Sequence, residues 1–385
     1  MLAPTINEQG PAALVAPFSL QGPRLVAPAR ARDAPASSKL ILLGQIRGGG
    51  LGVSVIRMGL IGTGRIGQVH AASISELPET TLQRVADIDA ASAASTAERF
   101  GCYSSSPDEI FSAGDVDAVL IASPTVTHLD LMVMSVHAGI PVLCEKPIDL
   151  DITRVDAARD TVTSAEVPVA VGFNRRFDPH VQEFRRRVLS GEIGDLEQLI
   201  ITSRDPAPAS TEYLAVSGGI FRDMTIHDFD LAGFFVGDVV SVSAQGYNQF
   251  SEEIKGLGDY DATAVALRSA SDQLVLITNS RHAAYGFDQR MEALGDKGMV
   301  RVDNVTDTEV RVFTADRVEG REPYQNFFLE RHRDSYRLEL AEFVKLIRGE
   351  EAQCPTFDDG RMALVIANAA TESAHSGKTV SISLD

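Results

Sequence analysis

Asp223 and His227 stand four residues apart in the stretch RDMTIHDFDL (222–231), and Lys146 lies far upstream in CEKP (144–147). A carboxylate, an imidazole and an ammonium group offer three chemistries: a metal site, a hydrolytic base, or the proton transfer that accompanies hydride transfer. Zinc needs a third protein ligand or a spacing such as HExxH, and the sequence supplies neither, so no metal is expected. No serine or cysteine nucleophile signature accompanies the pair. On a continuous helix positions i and i+4 share a face, which predicts that both side chains point the same way. An imidazole of ordinary pKa about 6.5 suits proton removal near neutrality, and a neighbouring carboxylate would raise its basicity. The alternative is a buried histidine bonded within its own helix. Asp228 and Asp230 read as solvated or capping residues. The other histidines (His70, His128, His137, His180, His282, His332 and His375) read as structural on their own.

The hydride-transfer reading requires a cofactor, and GTGRIG (62–67) provides for one. It follows the strand-like SVIRMGLI, opens a helical stretch, and has Asp87 twenty residues after Gly67 at the end of the next strand-like run. Gly62 permits a tight turn, Gly64 lets backbone approach a pyrophosphate, and Gly67 allows close packing of helix on strand. Arg65 and Ile66 lie inside the motif, at a helix N-terminus whose free N–H groups suit phosphate. Asp87 would accept from ribose hydroxyls and repel a 2′-phosphate, so NAD is expected over NADP. The alternative is a glycine turn without a ligand.

Two further segments end strands in the same way: Ser123-Pro124-Thr125, with His128 just after it, and Glu145-Lys146 in CEKP. Ligands bind at the carboxyl ends of such strands, so these residues are expected to line the cofactor edge. The competing roles are helix capping for the first segment and an ordinary surface lysine in the second.

Strands alternating with helices from residue 54 to 172 predict a parallel sheet, a Rossmann dinucleotide-binding α/β domain. From 173 to 385 the texture changes to an α+β domain with a large, mostly antiparallel, open-faced sheet. One helix is predicted over FRDMTIHDFDLAGFF (221–235). Residues 1–53 are rich in Ala, Pro and Gly and lack both a basic start and a compact apolar core. They read as a disordered extension or an upstream start rather than a signal peptide.

The whole chain has 385 residues, 44% of them hydrophobic, and a formal net charge of -18. That charge argues against nucleic acid as a partner. No apolar run reaches the roughly 18 residues of a membrane span. Three scattered cysteines suit a reducing cytoplasm.

In GLIGTGRIGQVHA, CEKP and GGIFRDMTIHDFD, taken in order and spacing, the chain resembles the glucose–fructose oxidoreductase, inositol dehydrogenase and rhizopine-catabolism (Gfo/Idh/MocA) family. The resemblance runs from about residue 54 to the C-terminus. GFNRRFDP (172–179), SRDPAP (203–208), SRHAAYGFDQRMEALGDKG (280–298) and FFLERHRDSY (327–336) are similar to its inositol-dehydrogenase branch.

The resemblance implies NAD-dependent oxidation of a cyclic polyol, myo-inositol first, to 2-keto-myo-inositol. It implies His227 as general base and Asp223 holding and polarising it while binding a substrate hydroxyl. Lys146 would steady the developing alkoxide, and Arg176 would line the polyol pocket with Asp205, Tyr285 and Tyr336. A homo-oligomer, dimer or tetramer, through the second domain's sheet is implied as well. Phe287 and His332 fall where tyrosine is common in the family, which leaves another inositol isomer or a pyranose open as substrate. Two further alternatives are a non-catalytic NAD-binding regulator and a glycosidase that uses NAD transiently.

Overall fold

A computed structural model describes residues 54–383, and the expectation for residues 1–53 lies outside them. The chain begins with β1 (Ile56–Ile61), α1 (Arg65–Glu76), β2 (Thr80–Ala86), α2 (Ala90–Phe100), β3 (Tyr103–Ser104) and α3 (Pro107–Ser112). It continues with β4 (Ala118–Ile121), α4 (His128–His137), β5 (Val142–Glu145), α5 (Ile152–Thr163) and β6 (Val169–Gly172). The strands form one sheet in the order β3-β2-β1-β4-β5-β6, every pair parallel. Helices cover both faces, so AVLI of β4 and VLCE of β5 are buried along their whole length. The strand order reverses between β1 and β4, and the crevice at their carboxyl ends is where such sheets take a ligand.

The second domain follows with α6 (Pro179–Leu189), β7 (Leu196–Arg204), α7 (Thr211–Leu214), α8 (Ile220–Asp223), α9 (Ile226–Val236), β8 (Val239–Tyr247) and α10 (Glu252–Gly256). Then come β9 (Ala262–Ser269), β10 (Leu274–Ser280), β11 (Asp288–Gly295), β12 (Gly298–Val302), β13 (Arg311–Val312) and β14 (Gly320–Arg321). The last elements are α11 (Phe328–Arg331), α12 (Arg333–Ile347), α13 (Phe357–Ser376) and β15 (Val380–Ser381).

Seven strands form a sheet in the order β12-β11-β7-β10-β9-β8-β15. It is antiparallel except where β7 runs parallel to β10. Alternate residues of β9 and β10 are buried, the period-two pattern of a sheet with one covered face. On the open face Leu274, Leu276, Leu294 and Met299 are exposed.

One expectation fails in a way that matters for the site. The helix predicted over 221–235 is two helices, interrupted at Met224 and Thr225. The N–H groups of both residues reach back to the carbonyl of Ile220, and α9 restarts on the carbonyl of Thr225. Tertiary bonds impose the break. Buried Thr225 donates its hydroxyl to Asn279, and Asp228 is held by Arg175, Ser203 and Asn279.

The last two helices also return to the first sheet. Leu340, Phe343 and Val344 of α12 pack with Leu60, Ala71 and Ile74. On α13, Ala363 and Leu364 join the first domain's core, whereas Ile366, Ala367 and Ala370 join the second's.

Candidate active site

The glycine loop is built as a cradle. Gly62 has φ 99°, and a Cβ there would lie 2.4 Å from the Ala122 backbone. A Cβ on Gly67 would come within 2.0 Å of the Gly62 carbonyl oxygen, so only glycine lets α1 start this close to β1. Gly64, the N-cap, opens onto free space and has no side-chain cap, and no acidic residue occupies the first turn of α1. Unpaired N–H groups facing an open side suit a pyrophosphate.

Asp87 ties this loop down. Its carboxylate accepts from the Thr63 N–H (2.6 Å), the Thr63 hydroxyl (2.9 Å) and the Asp89 N–H (2.9 Å). Partial burial opposes ionisation, but these bonds outweigh it and hold the carboxyl below its ordinary value. The expected ribose ligand is therefore also an anchor of the loop. Arg65 is exposed, with its guanidinium 5.6 Å from the Phe327 ring, and Ile66 is half-buried.

On the opposite lip two of the expected residues turn inward. His128 was expected to touch the cofactor, yet it is buried, with its ring nitrogens 2.8 Å from the Pro147 carbonyl and 2.7 Å from that of Ser123. It binds the Ser123–Thr125 turn to the CEKP loop and has no polar atom left over. Glu145 likewise turns inward, onto His70 Nε2 at 2.7 Å. Both brace the edge against neighbouring elements. Ser123, Pro124 and Thr125 remain on its rim, with the Ser123 hydroxyl 2.7 Å from that of Thr127.

Lys146 leaves this lip and crosses to the second domain. Its ammonium donates to the main-chain carbonyl of Asp223 at 2.7 Å and lies 3.7 Å from the Asp223 carboxylate. That carbonyl is available because of the helix break: an unbroken helix would commit it to the N–H of residue 227. The Asp223 carboxylate also accepts from the Tyr213 hydroxyl at 2.8 Å and faces Arg281 at 3.7 Å.

His227 stands edge-on to Phe173, with ring centres 6.1 Å apart, and its Nδ1 is buried without a partner. Nε2 is the nitrogen left for the cleft. Among the described residues no hydrogen bond joins His227 to Asp223, so the expected polarising contact is absent. Nor is the imidazole made more basic. Burial first, then the positive charges of Lys146 and Arg175, push its pKa well below the ordinary value and leave it neutral.

Asp205 belongs to the same cluster. Its backbone N–H bonds the Ser280 carbonyl, at the shared end of β7 and β10. Burial, helped by the charge of Asp223 and opposed by Arg175, Arg281 and Lys146, pushes its carboxyl up to about 6.

Arg176 does not join them. Its guanidinium is buried against Asp230 (2.9 Å) and Asp359 (3.0 Å) and stacks on Phe234. It holds α9 and α13 together instead of lining a polyol site. The adjacent Arg175 is the one whose charge reaches His227 and Asp205, from its own pairing with Asp228. Asp228 and Asp230, expected as solvated or capping, are both buried in these ion pairs.

Tyr285 bonds Asp288 and Arg204, the neighbour of Asp205, and Tyr336 is buried edge-on to His70. His332, set edge-on to Phe287, is buried. Tyr213, Arg281 and Asp259 were missed by the sequence reading. Only the position of Arg281, one residue past a strand that ends at this site, carried a signal.

A glycine-loop Rossmann domain whose edge meets a lysine, a carboxylate and a neutral imidazole defines an NAD-binding oxidoreductase. The chain belongs to the Gfo/Idh/MocA family: residues 56–173 match the oxidoreductase family's NAD-binding Rossmann fold, and residues 181–301 match the GFO/IDH/MocA C-terminal domain. It is 42% identical to inositol 2-dehydrogenase of Rhizobium meliloti (strain 1021), over 85% of this chain and 99% of that one. Among solved structures it is similar to a myo-inositol dehydrogenase from Corynebacterium glutamicum (49% identity, TM-score 0.83, covering 86% of this chain and 100% of that one). It is also similar to scyllo-inositol dehydrogenase from Lactobacillus casei with bound NAD(H) and scyllo-inositol (28% identity, TM-score 0.80, covering 85% and 99%).

Proposed function

We propose that this chain oxidises a cyclic polyol, myo-inositol first, to 2-keto-myo-inositol. NAD, when bound, supplies the hydride acceptor. The observation that carries the reading is the bond from Lys146, on the cofactor lip, to Asp223, the last residue of α8, four positions before His227 at the start of α9. It supports a site in which a cation, a carboxylate and a neutral imidazole act together beside the cofactor edge.

Gly62, Gly64, Gly67 and the start of α1 hold the pyrophosphate, and Asp87 the adenosine ribose. Neutral His227 takes the hydroxyl proton on Nε2 without first having to lose one. The ammonium of Lys146 stabilises the oxygen as negative charge develops on it. Asp223 and Asp205 accept neighbouring ring hydroxyls. So polar a site rejects analogues that lack a hydroxyl, because its own groups would be left unpaired. The apolar open face of the second sheet supports a homo-oligomer, dimer or tetramer, formed through it. Three free cysteines suit a cytoplasmic setting.

NADH absorbance with a panel of inositol isomers, aldoses and linear polyols tests the reading. Myo-inositol with NAD should exceed linear polyols, with glucose weaker, and NADP should support less turnover. Inert inositols beside a rapidly oxidised aldose would overturn the substrate assignment. Light scattering on the eluted protein reads the oligomer.

A further inference from the structure

Arg281 is the largest fully buried side chain among the described residues. A buried guanidinium is costly unless its donors are satisfied, and the molecule shows how that is done elsewhere. Arg176 spends its donors on Asp230 and Asp359, and Arg175 on Asp228 and Ser203. Arg281 is different. Nη2 bonds Asp259 at 2.9 Å, Nε is buried without a partner, and Nη1 faces the Asp223 carboxylate across 3.7 Å.

Asp259 carries the contact further. Its other oxygen accepts from the N–H of Ile220 at 2.8 Å, the first residue of α8. That helix starts after Gly219, at φ 85°, and ends at Asp223. Arg281 thus grips α8 at both ends, through Asp259 at the start and directly at Asp223.

We propose that Arg281, with Asp259, is a positioning residue that presets the Asp223 carboxylate and, through α8, the carbonyl on which Lys146 is held. The inference rests on the functional reading above. Asp223 is faced by Lys146 from the cofactor lip, Tyr213 from α7, Arg281 from the end of β10 and Asp205 from the end of β7. Of these, Arg281 alone is locked to the start of α8. It is therefore the group able to fix the helix and the carboxylate together.

A double-mutant cycle of Arg281→Gln with Asp223→Asn tests this, read in two ways on the full-length protein. In turnover, Arg281→Gln should lower kcat/KM for the polyol by about tenfold or more in the wild-type background. With Asn at position 223 it should do so by less than about threefold, since coupled neighbours are non-additive. NAD affinity should stay within about twofold, and Arg281→Lys, which keeps the charge, should fall between. Asp259→Asn should reproduce part of the loss.

In thermal unfolding, the shifts from Arg281→Gln and Asp223→Asn should likewise be non-additive, a readout that needs no substrate. Equal losses in both backgrounds with additive shifts would overturn the proposal. Absent polyol turnover in the wild type, with coupling still present in unfolding, would count against the functional reading and leave the clamp standing.

Discussion

The two halves of the site are built by opposite strategies. On the cofactor side the essential parts lie within one stretch, from Gly62 to Asp87, and local geometry creates them: a strand, a turn only glycine can make, and a helix with an uncapped start. On the proposed catalytic side Lys146, Asp205, Tyr213, Asp223, His227 and Arg281 come from separate elements and meet only in the fold. The first half is a motif and the second an assembly. Damage to a motif should therefore stay local, whereas damage to one member of an assembly should be felt by the others.

The largest effect is expected at His227. His227→Ala should lose on the order of 10²- to 10⁴-fold in kcat, the range of positioned proton transfer, with NAD affinity unchanged by isothermal titration. Near-normal turnover would remove it as base. Lys146→Met should be similarly slow and should also report on its neighbour. The lysine's charge helps depress the His227 pKa, so its loss raises that pKa. The base then protonates at higher pH, and the acid limb of the residual pH–rate profile should move upward. A fixed limb would show that the two residues do not sense one another.

On the cofactor side the expected losses are smaller and confined to NAD. Gly67→Ala puts a methyl group against the Gly62 carbonyl. Relief of that overlap at about 1–3 kcal/mol should weaken NAD roughly five- to a hundredfold. Asp87→Ala should cost roughly ten- to a hundredfold in NAD affinity and narrow the preference over NADP. Polyol dependence at saturating NAD should survive both changes. The smallest effect belongs to Tyr213→Phe, which removes a single hydrogen bond to Asp223. A loss of about 0.5–1.5 kcal/mol would appear as roughly a two- to tenfold rise in polyol KM.

The same contrast explains what the sequence could and could not tell. The glycine spacing, Asp87 and the alternation of strands and helices are local properties, and the parallel and open-faced sheets follow from them. The break at Met224 and Thr225 carries no glycine or proline and was invisible, because Asn279, more than fifty residues away, imposes it. Arg175 and Arg176 are chemically identical neighbours, and only the packing of α9 and α13 decides which one is spent on Asp230. Asp228 looks solvent-facing by composition until its buried partners are known. The carboxylate four residues from His227 suggests a raised basicity. Burial and two cations, which spacing does not reveal, reverse the sign.

The return of α12 and α13 to the first sheet has a consequence for how the protein is made. Synthesis proceeds from the N-terminus, so all six strands of the first sheet, the last ending at Gly172, are made well before α12, which starts at Arg333, and α13, which starts at Phe357. At roughly 5–20 residues per second the interval before α12 begins is on the order of eight to thirty seconds. During it, Leu60 and Ile74 lack the cover of Leu340 and Phe343, and the cofactor domain is open on the flank those residues later close. A ribosome-arrested chain halted before α12 should bind a hydrophobic dye or a chaperone, and one released after α13 should not.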